Sequence, residues 1–446
     1  MLDKVTEFEE AEEFAELPPE AEAAAAEAEA EYERFVWKNL PRNFAAHFLH
    51  GMLGMTGMRI FNAPTFLPAY LHSLTGSDAL VGLGQSLQQL GAVVSPVVGA
   101  THIEHRKRVL PVSMLMGTLM RLQILGVALA GWFLFGQAKI VAILLFLFLF
   151  GLFSGAQQVA FQMLLAKVIP ISRRGSLQAV RNVTGGAIAA GLAYVAGRYL
   201  IQKNVFGNGY STTFFLAFVL TSLGLTALSL LMKEPEPPTV RAKSRIWDRI
   251  KDFPELITSD RDYAWFMVAQ TTAMAGRVAA PFYILYAGHV MHLTGGNLGL
   301  VSLVFLGSDV VTNMLWGLMG DRWGFRSTFV GSLSLWILAT GLLIYAPSIP
   351  LILVSFFGLG SAQSGFQMSA TTMVLEFGDR HDMAMRLALS STTQGLMATL
   401  GPLCGGLVAA SFGYKPVFMM SMLMLGVSLV VLVTMVKEPR LRRLPG

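Results

Sequence analysis

Twelve apolar stretches of membrane-crossing length follow one another between residues 43 and 436, and this leaves few folds open. They run approximately over 43–70, 79–101, 109–134, 139–167, 175–201, 213–232, 262–290, 297–319, 327–346, 349–376, 386–411 and 416–436. About 20 apolar residues in a helix cover the hydrocarbon core of a bilayer. Inside lipid every backbone N–H and C=O must be satisfied within the protein, so spanning segments are helices or closed barrels. These stretches have helix length. The expected fold class is therefore an all-α polytopic membrane protein with twelve transmembrane helices. Composition agrees: 14% of residues are charged, against about 25% in a soluble protein.

The stretches form two sets of six. Arg42-Asn43-Phe44 opens the first and Arg261-Asp262-Tyr263 the seventh. Leu74-Thr75-Gly76 returns as Leu293-Thr294-Gly295. Phe150-Gly151-Leu152 with Phe161-Gln162-Met163 returns as Phe357-Gly358-Leu359 with Phe366-Gln367-Met368. Lys233-Glu234-Pro235 returns as Lys437-Glu438-Pro439. Order and spacing are kept, which points to a duplicated, pseudo-symmetric pair of six-helix bundles. The expected divisions are an acidic, partly helical arm (1–41), a first bundle (42–232), a linker (233–261), a second bundle (262–436) and a basic tail (437–446).

Charge is unevenly placed. Residues 1–34 hold 13 of the 28 acidic residues. Basic residues concentrate in alternate loops: Arg106 to Arg108, Lys167 with Arg173 and Arg174, the linker, Arg322 with Arg326, Arg380 with Arg386, and the tail. By the positive-inside rule those loops and both termini face the cytoplasm, across a cell inner (plasma) membrane. The rule also accounts for a pI near 9.3 without a nucleic-acid partner. Cys404 is the single cysteine. With no zinc pattern, Walker loop or dinucleotide fingerprint, no metal, cofactor or catalytic residue is expected.

The turn between the eighth and ninth stretches is the most specific motif: Gly317, then Asp321-Arg322, Gly324 and Arg326. It resembles the loop signature of the major facilitator superfamily, with Phe325 where a basic residue is usual. The resemblance implies a secondary transporter in which one half rocks against the other around a site near the bilayer midplane. It also implies that Asp321 and Arg322, with Arg380 and Asp382, help close the cytoplasmic side. In the eleventh stretch, Gly395, Gly401-Pro402 and Gly405-Gly406 resemble a glycine–proline motif of superfamily exporters, or simply supply small residues for close packing.

Charges at mid-membrane cost about 2.5–3.5 kcal/mol each and so need a reason. Arg59 and Arg277 lie at matching depths, before Pro64 and Pro281. If helices 1, 4, 7 and 10 line the cavity, as the resemblance implies, the two arginines face each other. Organic-phosphate/phosphate antiporters of the superfamily use such a pair, and a guanidinium fork suits carboxylate or phosphate. Gln157, Gln158 and Gln162, with Gln363 and Gln367, would complete a polar ring. Asp309 and Asn313, above Gly317, are candidates for proton coupling or for pairing with an arginine such as Arg277. The expected partners are a small solute, with an organic anion as the leading class, a coupling proton or counter-anion, and the lipid bilayer. Alternative readings are an exporter of lipophilic compounds and a non-transporting receptor or assembly factor. A thin metal signal from His47 and His50 is outweighed by packing. Arg121 is expected to be a hydrogen-bond hub, and Arg181 to snorkel.

Overall fold

The computed structural model describes residues 19–103, 108–236, 260–377 and 383–438, and among them no strand occurs. The first half contains α1 (Pro19–Phe61), α2 (Phe66–Thr75), α3 (Asp78–Ile103), α4 (Leu110–Phe133), α5 (Gly136–Val168), α6 (Ile171–Val195) and α7 (Gly209–Leu231). The second contains α8 (Arg261–Gly276), α9 (Tyr283–Met291), α10 (Gly295–Trp323), α11 (Phe325–Ile344), α12 (Ile349–Glu376), α13 (Met383–Phe412) and α14 (Tyr414–Met435). These are the twelve expected segments, with the first (α1/α2) and seventh (α8/α9) each divided. Eight of the described helices are individually long and apolar enough to span a membrane. The arm does not end at residue 41. Helix α1 passes through Pro41, whose missing N–H costs one bond, to the Trp37 carbonyl, where Trp37 is exposed. The amphipathic linker stretch at Ile246-Trp247, the basic tail beyond Glu438, and Arg380 with Asp382 lie outside the described residues.

Both breaks follow from prolines. Pro64 ends the path of α1, and the chain turns at Asn62–Thr65 before α2. Pro281 lies in a 3-10 turn, Arg277–Phe282, between α8 and α9. The Gly276 carbonyl, where α8 gives way to the 3-10 turn, accepts from Ser421 Oγ at 2.5 Å. In apolar surroundings that bond replaces what water would otherwise supply.

The face carrying both described chain ends is fastened by recurring polar contacts. Arg42 donates to the carbonyls of Leu231 (2.6 Å) and Leu230 (3.2 Å), closing the end of α7. Arg326 does the same for α14, at Leu432 (3.2 Å) and Val433 (2.8 Å). The repeated Lys-Glu-Pro has a structural meaning. The Glu234 carboxylate accepts from the amides of Val109 (2.7 Å) and Leu110 (2.9 Å), at the start of α4. The Glu438 carboxylate lies against Gly324 at the start of α11, so close that a Cβ there would sit 2.3 Å from it. Each half thus places a negative charge on the positive end of its third segment. The Glu234 side chain is 4% exposed and also meets Lys167 Nζ at 3.2 Å. Glu234→Gln is expected to destabilise the protein by about 1.5–3 kcal/mol, the worth of hydrogen bonds to a charged group. A melting temperature equal to wild type would refute this.

The two halves meet from the opposite face down to mid-depth. Thr65 and Ser302 share a 2.6 Å hydrogen bond. Tyr414 donates to Asp78 at 2.8 Å. Glycines allow backbone contact: Gly197 against Gly295 and Gly299, and Gly82 against Pro402 and Gly406. Pro402 and Gly406 therefore serve packing of α13 on α3 across the halves, while Gly401 and Gly405 face Val278 within the second half. Toward the terminal face, Gln158, Gln162, Gln178, Gln367, Thr371 and Thr392 are exposed. Polar side chains on α5, α6, α12 and α13 are accessible there.

Candidate functional site

The site grows from the two broken segments. Arg59 occupies the last turn of α1, just before the break. Its Nη1 donates to Asp309 Oδ2 of α10 at 2.5 Å. The two side chains are 22% and 25% exposed, so the pair is reachable by water. It joins one half to the other at mid-membrane depth. Gly186 of α6 makes room for it: a Cβ there would stand 3.1 Å from Arg59 Nη1 and 2.3 Å from Val310.

Two cavities meet at this ion pair. One, of about 290 Å³, is lined by Met55, Met58, Asn62, Phe305, Gln363 and Gln367 beside the pair. The other, of about 280 Å³, lies between α6 and α10 and is lined by Ala179, Asn182, Val183, Val310, Asn313 and Met314. Asn313 Nδ2 donates to Ser364 Oγ at 3.1 Å, and Ser364 Oγ donates to the Asp309 carbonyl at 3.3 Å. Asn62 accepts from Gln88 at 2.6 Å. Arg59 and Asp309 are thus held at the junction of α1, α6, α10 and α12. This gives a compact, net-neutral polar centre with apolar Met and Phe walls. Such a site can hydrogen-bond an uncharged polar solute and can take up a proton on a carboxylate.

Several expected members stand elsewhere. Arg277 is half-buried, donates to Met274 Sδ at 3.7 Å and is not among the lining residues of either cavity. The opposed Arg59–Arg277 pair is not formed, because Asp309 offers Arg59 a direct counter-charge. Asp309 accordingly pairs with Arg59 rather than Arg277. Gln157 is buried within the first half and donates to Ser113 Oγ at 3.3 Å, away from the cavity wall. Gln158 and Gln162 are exposed on α5, while their repeat mates Gln363 and Gln367 line the cavity. Gly317, Asp321 and Arg322 belong to the last turns of α10, which continues to Trp323. Gly324 turns the chain with φ +85°, and Phe325 fits its ring over Gly320. Packing on that glycine explains the aromatic residue where the family pattern has a basic one. On α6, Asn182 was a polar residue visible in the sequence, whereas Gly186, Ala179 and Val183 carried no chemical signal.

This is the architecture of a polytopic membrane protein with two six-helix halves packed against each other. A family model described as Major Facilitator Superfamily matches residues 49–272 and 265–446. The chain belongs to that superfamily, and it is a membrane transporter of that type. Among solved structures it is similar to a point-mutant form of the nucleoside transporter NupG, at 14% identity. That match has a TM-score of 0.70 and covers 89% of this chain and 100% of the other. It is also similar to a D-xylose-proton symporter, at 15% identity and a TM-score of 0.65, covering 90% and 98%. These likenesses show the fold. No curated protein sequence gives a significant match.

Proposed function

We propose that the protein moves a small, uncharged polar solute in exchange with or together with protons, by alternating access, and that Asp309 is the protonated group. The observation that carries this reading is the Arg59–Asp309 pair, which spans the two halves in the wall of a polar cavity. Protonating Asp309 discharges the one ion pair between the halves found among the described residues and leaves Arg59 free for solute or water. Deprotonation restores it. A carboxylate used this way links proton movement to the rocking of rigid halves. The printed names of the similar structures, a nucleoside transporter and a D-xylose-proton symporter, favour an uncharged polar solute. A doubly positive site for an anionic solute is disfavoured at this point, since Arg59 is already neutralised.

Sidedness follows from the basic loops: the terminal face is cytoplasmic, in a plasma membrane. The exposed glutamines and threonines of the terminal side then make this the inward-open state. Gln363, Gln367 and Asn62 hold the solute, and Gln158 and Gln162 line the way to it.

Purified protein heated with a panel of nucleosides, sugars, carboxylates and lipophilic amines tests the solute class, because binding raises stability by RT ln(1 + [L]/Kd). Stabilisation by an uncharged polar compound, lost in Gln363→Ala and Gln367→Ala, is the expected result. Stabilisation by lipophilic compounds alone, equal in those variants, would overturn it in favour of an exporter.

A further inference from the structure

The first half carries a second charged centre, and among the described residues this one has no carboxylate partner. Arg181 of α6 is 5% exposed, and Arg121 of α4 is 3% exposed. Arg121 is held by carbonyls: Nε donates to Thr221 (2.7 Å) and Nη1 to Gly117 (2.7 Å). Its Nη2 lies 3.4 Å from His50 Nε2. The partner of Arg181 is the amide of Gln178, whose Oε1 accepts from Nη1 at 3.4 Å. Arg181 Nε is buried without a partner, and so are both ring nitrogens of His47. The Arg181 guanidinium lies 5.0 Å from the centre of the Phe161 ring, which His50 also stacks on at 5.1 Å. No carboxylate pairs with Arg121 or Arg181 among the described residues.

The two halves differ here in the counter-charge they supply. The repeat mate of Phe161 is Phe366, which packs 5.4 Å from Phe329 and 6.1 Å from Trp336. The second half buries a guanidinium at the matching place, Arg386, which follows Phe366 by the same 20 residues as Arg181 follows Phe161, but it pairs that cation with Asp260 at 3.4 Å. The first half buries two guanidiniums and two imidazoles without such a partner among the described residues. Gly51 makes this possible: a Cβ there would lie 2.0 Å from Arg181 Nε. An uncompensated buried ion is costly, and a planar guanidinium with free donors is suited to an oxyanion. The centre is also connected to the transport pathway. Gln178 Nε2 reaches Asn182 Oδ1 at 3.5 Å, and Asn182 lines the cavity beside Arg59 and Asp309.

We propose that Arg181, with the ring N–H of His47 and the amide of Gln178, forms an oxyanion-binding site in the first half, for a phosphate or carboxylate group entering from the α6 side of the cavity. Arg121 supplies the second positive charge without direct contact. The site is separate from the Arg59–Asp309 centre.

The test is the melting temperature of the purified full-length protein titrated with inorganic phosphate, at ionic strength held constant with sodium chloride. The wild type is expected to show a saturable upward shift. Arg181→Gln should lose the shift. Arg181→Lys, which keeps the charge but not the fork, should need clearly more phosphate for half-saturation and serves if the first variant does not fold. The double variant Arg59→Gln/Asp309→Asn, which leaves no freed guanidinium at the other centre, should keep the shift, so failure of the coupling reading and failure of this one are told apart. A wild type without a saturable response, or a full response in either Arg181 variant, would overturn the proposal.

Discussion

Asp309→Asn is expected to abolish proton-driven accumulation of the solute while leaving solute binding and equilibrative exchange in place. A pH difference of one unit supplies about 1.4 kcal/mol per proton, so one coupled proton sustains about a tenfold concentration ratio of a neutral solute. Asparagine preserves the volume of the side chain and cannot carry the proton, so the expected ratio falls to unity. The variant also leaves Arg59 without its partner. At full burial that would cost about 2.5–3.5 kcal/mol, and the roughly quarter exposure of both side chains makes the figure an upper bound. The double variant Arg59→Gln/Asp309→Asn removes both charges and should regain thermal stability without regaining accumulation. Measuring uptake into proteoliposomes under an imposed pH gradient decides the matter. Accumulation by Asp309→Asn at the wild-type level would remove Asp309 from the coupling step.

Gly82→Val should have the second large effect, on conformational balance rather than on chemistry. A Cβ at Gly82 would lie 2.2 Å from the Pro402 carbonyl and 3.0 Å from the Gly406 Cα. Both are backbone atoms of α13, which cannot rotate out of the way. Overpacking of this kind costs about 1–3 kcal/mol, and here it falls only on the state in which α3 and α13 touch. By the rule of about 1.4 kcal/mol per tenfold, that state should lose roughly five- to 150-fold in population relative to the alternative. Alkylation of a cysteine placed at Gln367, which is exposed toward the terminal side, should slow accordingly. Unchanged labelling in Gly82→Val would show that α3 and α13 do not form the closed contact.

Much of the fold was legible because lipid makes the code simple. Segment length, the repeated tripeptides and the loop arginines defined twelve helices in two halves, and the prolines at 64 and 281 marked where segments one and seven break. The site was less legible. Depth along a helix placed Arg59, Arg277 and Asp309 at similar levels, but depth does not give the azimuth of a side chain around its helix. That angle decided that Arg59 meets Asp309 and that Arg277 stays off the cavity wall. For the same reason Gln157 and Gln158, adjacent in sequence, have opposite fates, one bonded to Ser113 inside the half and one exposed. On α6 the polar Asn182 was visible in the sequence, but the absence of bulk at Gly186 that makes room for Arg59 leaves no chemical signature.

Helix α1 carries one more consequence. It is 43 residues long and continues without interruption from the segment that bears Arg59 out to Pro19, and Tyr32 braces it by donating to the Lys167 carbonyl at 3.0 Å. The part before Arg42 is a rod of about 34 Å at 1.5 Å per residue. A rod rigidly attached to a tilting body acts as a pointer. A tilt of the first half by about 10° would carry its tip sideways by about 6 Å, turning a small rearrangement around the ion pair into a displacement that another molecule in the aqueous phase could feel.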